Sequence, residues 1–164
     1  MICTACYSNL KSMRHREISQ KEIEEIIGKC EYCHIAMIDL EGMPYVLPMN
    51  FGYHDGVIYF HSAPQGKKIS ILKSKPDVCV EFSADCVLRF QDESVACSYS
   101  MKYKSVLAHG KIEFVEDEEQ KIEVLDRVMK NYSPLEFKYS SPSVRNVACW
   151  KLKVNKFEGR VFGY

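Results

Sequence analysis

The chain has 164 residues, 46% of them hydrophobic, and its 22 basic residues are balanced by 22 acidic ones. That length suits one domain with a core of its own, and zero net charge removes any bulk electrostatic case for binding nucleic acid or an anionic membrane surface. No apolar run approaches the ~20 residues of a membrane-spanning helix, so a soluble, non-membrane protein is expected.

Residues 1–12 read as a flexible extension, and residues 13–164 as the organised domain. The opening Met-Ile-Cys-Thr-Ala-Cys-Tyr has no basic segment leading into a long apolar core, so no signal peptide is read there. The eight cysteines are then read as reduced thiols of a cytoplasmic protein. Cys3/Cys6 and Cys30/Cys33 each have metal-type Cys-x-x-Cys spacing. The 23 residues between the pairs exceed a zinc ribbon's spacing and are mostly helical in pattern, so unpaired thiols and no metal are expected.

Ile18-Ser19-Gln20-Lys21-Glu22-Ile23 combines a capping box with a hydrophobic staple and opens a helix to about Lys29, with Ile23, Ile26, Ile27 and Cys30 on one face. Apolar runs at 32–40, 44–51 and 57–61, separated by turn residues, predict a three-stranded antiparallel meander. Pro48 cannot donate a ladder hydrogen bond, so its strand is an edge or is interrupted there, which frees the backbone of Met49 and Asn50. Val78, Val80 and Phe82 alternate along a fourth strand. Residues 83–101 give no firm pattern beyond a short strand at 87–90 and a turn at 91–94. A long strand spans 103–115, bent at Gly110. Asp117 caps a helix bearing Ile122, Leu125, Val128 and Met129 on one face. A strand around Trp150 and Leu152 precedes a tail at 159–164.

The most informative stretch is Tyr59-Phe-His-Ser-Ala-Pro-Gln-Gly-Lys-Lys68. A strand meets a helix start there. Ser62 and Gln65 have capping-box spacing, Pro64 suits a first turn, and two lysines fall where unpaired backbone N–H groups already carry partial positive charge. An anion among the amides, the Ser62 hydroxyl and the lysines would make this favourable, which reads as a phosphate cradle; two solvated lysines are the alternative. It is no nucleotide P-loop, because His61 stands where that motif's first glycine belongs.

The sum is a mainly β domain with peripheral helices, best read as a small barrel. Met13-Arg-His-Arg-Glu-Ile18, Gly42-Met-Pro-Tyr-Val-Leu-Pro-Met-Asn-Phe51, Ile58-Tyr-Phe-His-Ser-Ala63, Gly66-Lys-Lys68, Pro76-Asp-Val-Cys79 and Tyr103-Lys-Ser-Val106 leading to Gly110 follow one another at a telling spacing. In that order they resemble the pyridoxamine 5′-phosphate oxidase-like split-barrel flavoproteins, closest to the 5-nitroimidazole resistance proteins. The resemblance implies a six-stranded antiparallel Greek-key split β-barrel that forms a homodimer, with FMN, or alternatively FAD, in clefts between subunits.

Carried over residue by residue, Ser62, Lys67 and Lys68 would hold the flavin phosphate. Pro48, Met49 and Asn50 would lie along the isoalloxazine, with His61 and Ala63 beside the cofactor and Ser105 a further contact. His61 is nominated as proton donor because imidazole titrates near neutrality, with packing against the cofactor as the other reading. The expected function is a flavin-dependent oxidoreductase of a small molecule, the nitro group of 5-nitroimidazole-type compounds being one candidate. A non-catalytic flavin carrier or sensor is the alternative, since no Gly-x-Gly-x-x-Gly nicotinamide motif follows a strand. Pyridoxamine 5′-phosphate oxidation is a weaker third.

Overall fold

The structure, a computed structural model, describes residues 18–164; the N-terminal extension, Cys3, Cys6 and the Met13–Glu17 part of the resemblance lie outside the described residues. The chain order is α1 (Gln20–Ile27), β1 (Cys33–Ile38), β2 (Pro44–Met49), β3 (Gly52–His54), β4 (Val57–Ser62), α2 (Lys67–Ser74), β5 (Asp77–Arg89), a 3-10 turn at Ala96–Ser98, β6 (Ser100–Val115), α3 (Glu118–Lys130), α4 (Ser141–Arg145) and β7 (Ala148–Phe162). The strands form one antiparallel sheet in the order β2-β1-β5-β6-β7-β4-β3, the coiled sheet of a split barrel. It has seven strands where six were expected, because the stretch between the apolar runs at 44–51 and 57–61, expected as a turn, is partly strand. Gly52–His54 pairs with β4, and only Asp55 and Gly56, at φ 46° and 74°, make the turn, as a two-residue hairpin requires.

The three-stranded meander is corrected. β2 pairs with β1 alone, and β4 pairs with β3 and β7 at the opposite end of the sheet. Two hairpins with short turns look like one meander in sequence; what separates them is long-range pairing to β5 and β7. β2 is an edge strand, as Pro48 requires. The undecided stretch resolves into a continuation of β5 with a bulge between Ala84 and Val87, where Asp85 takes φ 53°. β6 shifts register between His109 and Gly110, the anticipated bend. The supposed tail is mostly β7.

α1 carries the capping box read from its sequence: Glu22 N–H donates to Ser19 Oγ and Ser19 N–H to the Glu22 carboxylate. Its Ile23, Ile26 and Ile27 are buried with Ile35, Phe51, Phe60, Phe82, Val106 and Trp150 in the main core. A second cluster joins Val124 and Leu125 of α3 to Val115, Val144 and Cys149. The buried face of α3 is Lys121, Val124, Leu125 and Val128, displaced by about one position from the expected Ile122 and Met129. Lys121 affords this by donating from Nζ to the Val147 carbonyl at 2.9 Å.

α3 lies directly on β3 at Gly52, where an added Cβ would meet the Arg127 carbonyl and stand 2.8 Å from Val128 N. Backbone cannot yield as a side-chain tip can. Gly52→Ala is therefore expected to lower stability by at least about 2 kcal/mol, read as an earlier chemical-denaturation midpoint. A midpoint equal to that of the parent would mean that α3 is free to shift.

Candidate functional site

The segment from Tyr59 to Lys68 ends β4 and begins α2, but its cap differs from the expected one. β4 continues through Ser62, which pairs with Ala148 of β7, and the Ser62 hydroxyl donates to the Ala63 carbonyl at 2.9 Å. Ladder pairing holds Ser62 in the strand, so it caps nothing. The cap is Gly66 at φ 122°, without a side-chain hydrogen bond; that backbone conformation favours glycine. Lys67 and Lys68 are then the first two residues of α2, and no acidic residue lies in its first turn.

The two lysines differ. Lys67 Nζ sits 2.9 Å from Asp39 Oδ2 and 4.7 Å from the centre of the Tyr45 ring. Asp39 is only 5% exposed; its Oδ1 accepts the Glu41 and Met43 N–H groups, and its carbonyl accepts Lys75 Nζ. The hydrogen bond from Lys67 holds the Asp39 carboxyl below its ordinary range and in turn raises Lys67. Lys68 is half-buried. Its Nζ lies 3.1 Å from Met49 Sδ and 5.5 Å from the Trp150 ring centre, and none of the ion pairs among the described residues includes it. A thioether is a weak acceptor, and burial pushes Lys68 below the ordinary lysine value.

Phe60 and Trp150, directly paired on neighbouring strands, stack with ring centres 6.0 Å apart beneath this corner. Strand alternation turns His61 to the face opposite Phe60. Its Nδ1 is buried without a hydrogen-bond partner. Burial and, secondarily, the charge of Lys68 push His61 below its ordinary value, so the imidazole is neutral at neutral pH.

Met49 thus meets Lys68, and His61, Ser62, Ala63, Lys67 and Lys68 share one strand-to-helix corner. Pro48 and Asn50 lie exposed at the end of the edge strand. Ser105 is not brought to the corner: it pairs with Ser83 and Arg160 on the outer face of the sheet, three strand spacings, about 14 Å, from β2. Asp39 is the participant that sequence reasoning missed. It read as ordinary turn chemistry, and nothing local ties it to a lysine 28 residues away.

Of the two Cys-x-x-Cys pairs, Cys30 and Cys33 lie among the described residues, and both are buried. Cys30 Sγ donates to the Ile26 and Ser83 carbonyls and Cys33 Sγ to that of Met49. Burial pushes Cys30 up to about 11 and Cys33 higher, which keeps both protonated. No metal-binding group of three or more side chains occurs among the described residues.

An antiparallel split barrel, with a cationic strand-to-helix corner and two stacked aromatics beneath it, defines the class of protein. The chain belongs to the pyridoxamine 5′-phosphate oxidase family, whose pattern matches residues 19–161. It is similar to the crystal structure of a proposed 5-nitroimidazole antibiotic resistance protein from Bacteroides thetaiotaomicron, at 44% identity and TM-score 0.83 over 92% of this chain and 89% of that one. The flavocytochrome Anf3 of Azotobacter vinelandii shares the fold at 21% identity and TM-score 0.75, over 90% of this chain and 68% of that one. So does the FAD and haem binding protein of Mycobacterium smegmatis, at 15% identity and TM-score 0.77, over 89% and 72%. A comparison with curated proteins gave no match.

Proposed function

We propose that the chain is a flavin-dependent oxidoreductase that reduces a small molecule, with the nitro group of 5-nitroimidazole-type compounds as the substrate class. The observation that carries this reading is Lys68: a half-buried cation at a helix N-terminus, with no carboxylate beside it among the described residues. Backbone N–H groups of the first turn of α2 and the Lys68 ammonium together suit a phosphate. The half-buried His61 imidazole offers a further polar contact at the same corner. These residues fit a phosphate-bearing flavin; FMN is proposed, and the first phosphate of FAD would satisfy the same donors.

When bound, the flavin supplies the electron or hydride transfer. The chain would hold its phosphate through Lys68 and α2, and Pro48, Met49 and Asn50 at the end of the edge strand would contact the rest of the cofactor. His61, neutral at working pH, serves as a hydrogen-bond contact, and water supplies the protons. The similarity to the Bacteroides protein, described as a proposed 5-nitroimidazole antibiotic resistance protein, supports the substrate class.

A homodimer and a cytoplasmic location belong to the same proposal. The outer face of β1 and β2 carries Val46, 54% exposed, and Ile38, 48% exposed, a surface suited to a second copy. Ser105 stands on that outer side and would reach a flavin held by the partner. No helix among the described residues is long and apolar enough to cross a membrane.

Under anaerobic conditions, NAD(P)H or dithionite is expected to bleach the bound flavin, and a 5-nitroimidazole to restore its colour in stoichiometric amount. Reduction without reoxidation by any nitro compound would leave a flavin carrier, contrary to the proposal.

A further inference from the structure

The two lysines that open α2 face different demands. Lys67 is already committed: its Nζ pairs with Asp39 Oδ2 at 2.9 Å, and although the lysine side chain is 58% exposed, that of Asp39 is only 7% exposed. Lys75, just beyond the other end of α2, donates to the Asp39 carbonyl, so both ends of the helix are tied to this one residue. Moving Lys67 to a ligand would leave a nearly buried carboxylate with only the Glu41 and Met43 N–H groups to satisfy it. A buried anion that loses its counter-ion costs more than an exposed lysine gains from a new partner. Lys68 has no such competitor; its neighbours are a thioether and an indole face.

We propose that Asp39 is the resident counter-ion of this site, retaining Lys67 and leaving Lys68 as the side-chain cation that meets an incoming phosphate. The inference rests on the reading of the corner as a flavin phosphate cradle and assigns its lysines unequal parts. Asp39 also sets the strength of the site, because its negative charge opposes a phosphate that approaches the same turn.

Titrating FMN, riboflavin and inorganic phosphate against full-length variants tests this. Flavin fluorescence reports the first two ligands and the rise in melting temperature the third. Asp39→Asn keeps an Oδ1 acceptor for the Glu41 and Met43 N–H groups while releasing Lys67, so FMN and phosphate should bind about threefold to tenfold more tightly. The charge-neutral double variant Lys67→Met with Asp39→Asn should bind FMN within about twofold of the parent. Lys68→Met should bind it at least about tenfold more weakly. Riboflavin, which lacks the phosphate, should bind all the variants alike.

Weaker FMN binding by Asp39→Asn, or a double variant as weak as Lys68→Met, would overturn the assignment, since Lys67 would then be a ligand that Asp39 merely positions. Should Asp39→Asn not fold, Lys68→Met still decides, because affinity within about twofold of the parent excludes Lys68 as the cation. Phosphate binding without flavin binding would reject the cofactor reading alone. Binding of none of the three ligands by the parent would overturn both.

Discussion

Trp150→Ala is expected to be the most destabilising single substitution near the site, at about 3–5 kcal/mol. The indole is fully buried, stacked on Phe60 at 6.0 Å and tilted against Phe114 at 5.8 Å. It stands near the start of β7, between Phe114 of β6 and Phe60 of β4. Its removal empties the corner beneath Lys68 and takes away the ring face over which that ammonium lies. Trp150→Phe should cost markedly less. The indole Nε1 is buried without a hydrogen-bond partner, so phenylalanine sacrifices volume and no hydrogen bond. Denaturation midpoints for the two variants measure the difference. Equal losses would mean that the indole N–H is bonded after all, and that the corner is held by polarity more than by packing.

Cofactor affinity should fall as pH rises through the lowered pKa of Lys68. Burial alone sets that direction, and the sign follows from linkage. With its folded pKa below the ordinary lysine value, the half-buried ammonium opposes folding while it is charged, and this cost fades as pH climbs through the folded pKa. A phosphate beside it restores the charged form. Binding therefore takes up a proton wherever free Lys68 is partly deprotonated, and weakens once the lysine has to be recharged. Lys68→Arg stays charged throughout, so its affinity should remain level over the same alkaline range. Flavin titrations from neutral to alkaline pH check this. A decline of the same shape in Lys68→Arg would assign the pH dependence to another group.

What could be read in the sequence was local. The Ser19/Glu22 box and the Asp117 cap depend on residues a few positions apart, and both are present; the turn before β4 was placed correctly but read two residues too long. The Pro48 edge and the bend at Gly110 were legible because a missing N–H and a missing Cβ act where they stand. What failed was settled across the chain. Ser62 and Gln65 had the spacing of a cap, yet pairing between Ser62 and Ala148 outweighed it, and the helix began after Gly66 instead. The first hairpin and the second were separated by β5, β6 and β7, whose partners no turn signal announces. The pair of lysines was legible, but their inequality was not, since Asp39 reaches Lys67 only after β1 and α2 have packed.

The corner formed by β4 and α2 is proposed to hold a phosphate-bearing flavin. The most direct measurement is the visible absorption spectrum of the purified protein, followed by mass identification of any released cofactor. A yellow protein that releases FMN or FAD, and whose Lys68→Met variant loses its colour on dialysis, is the predicted result. A colourless protein that takes up neither added FMN nor added FAD would contradict it.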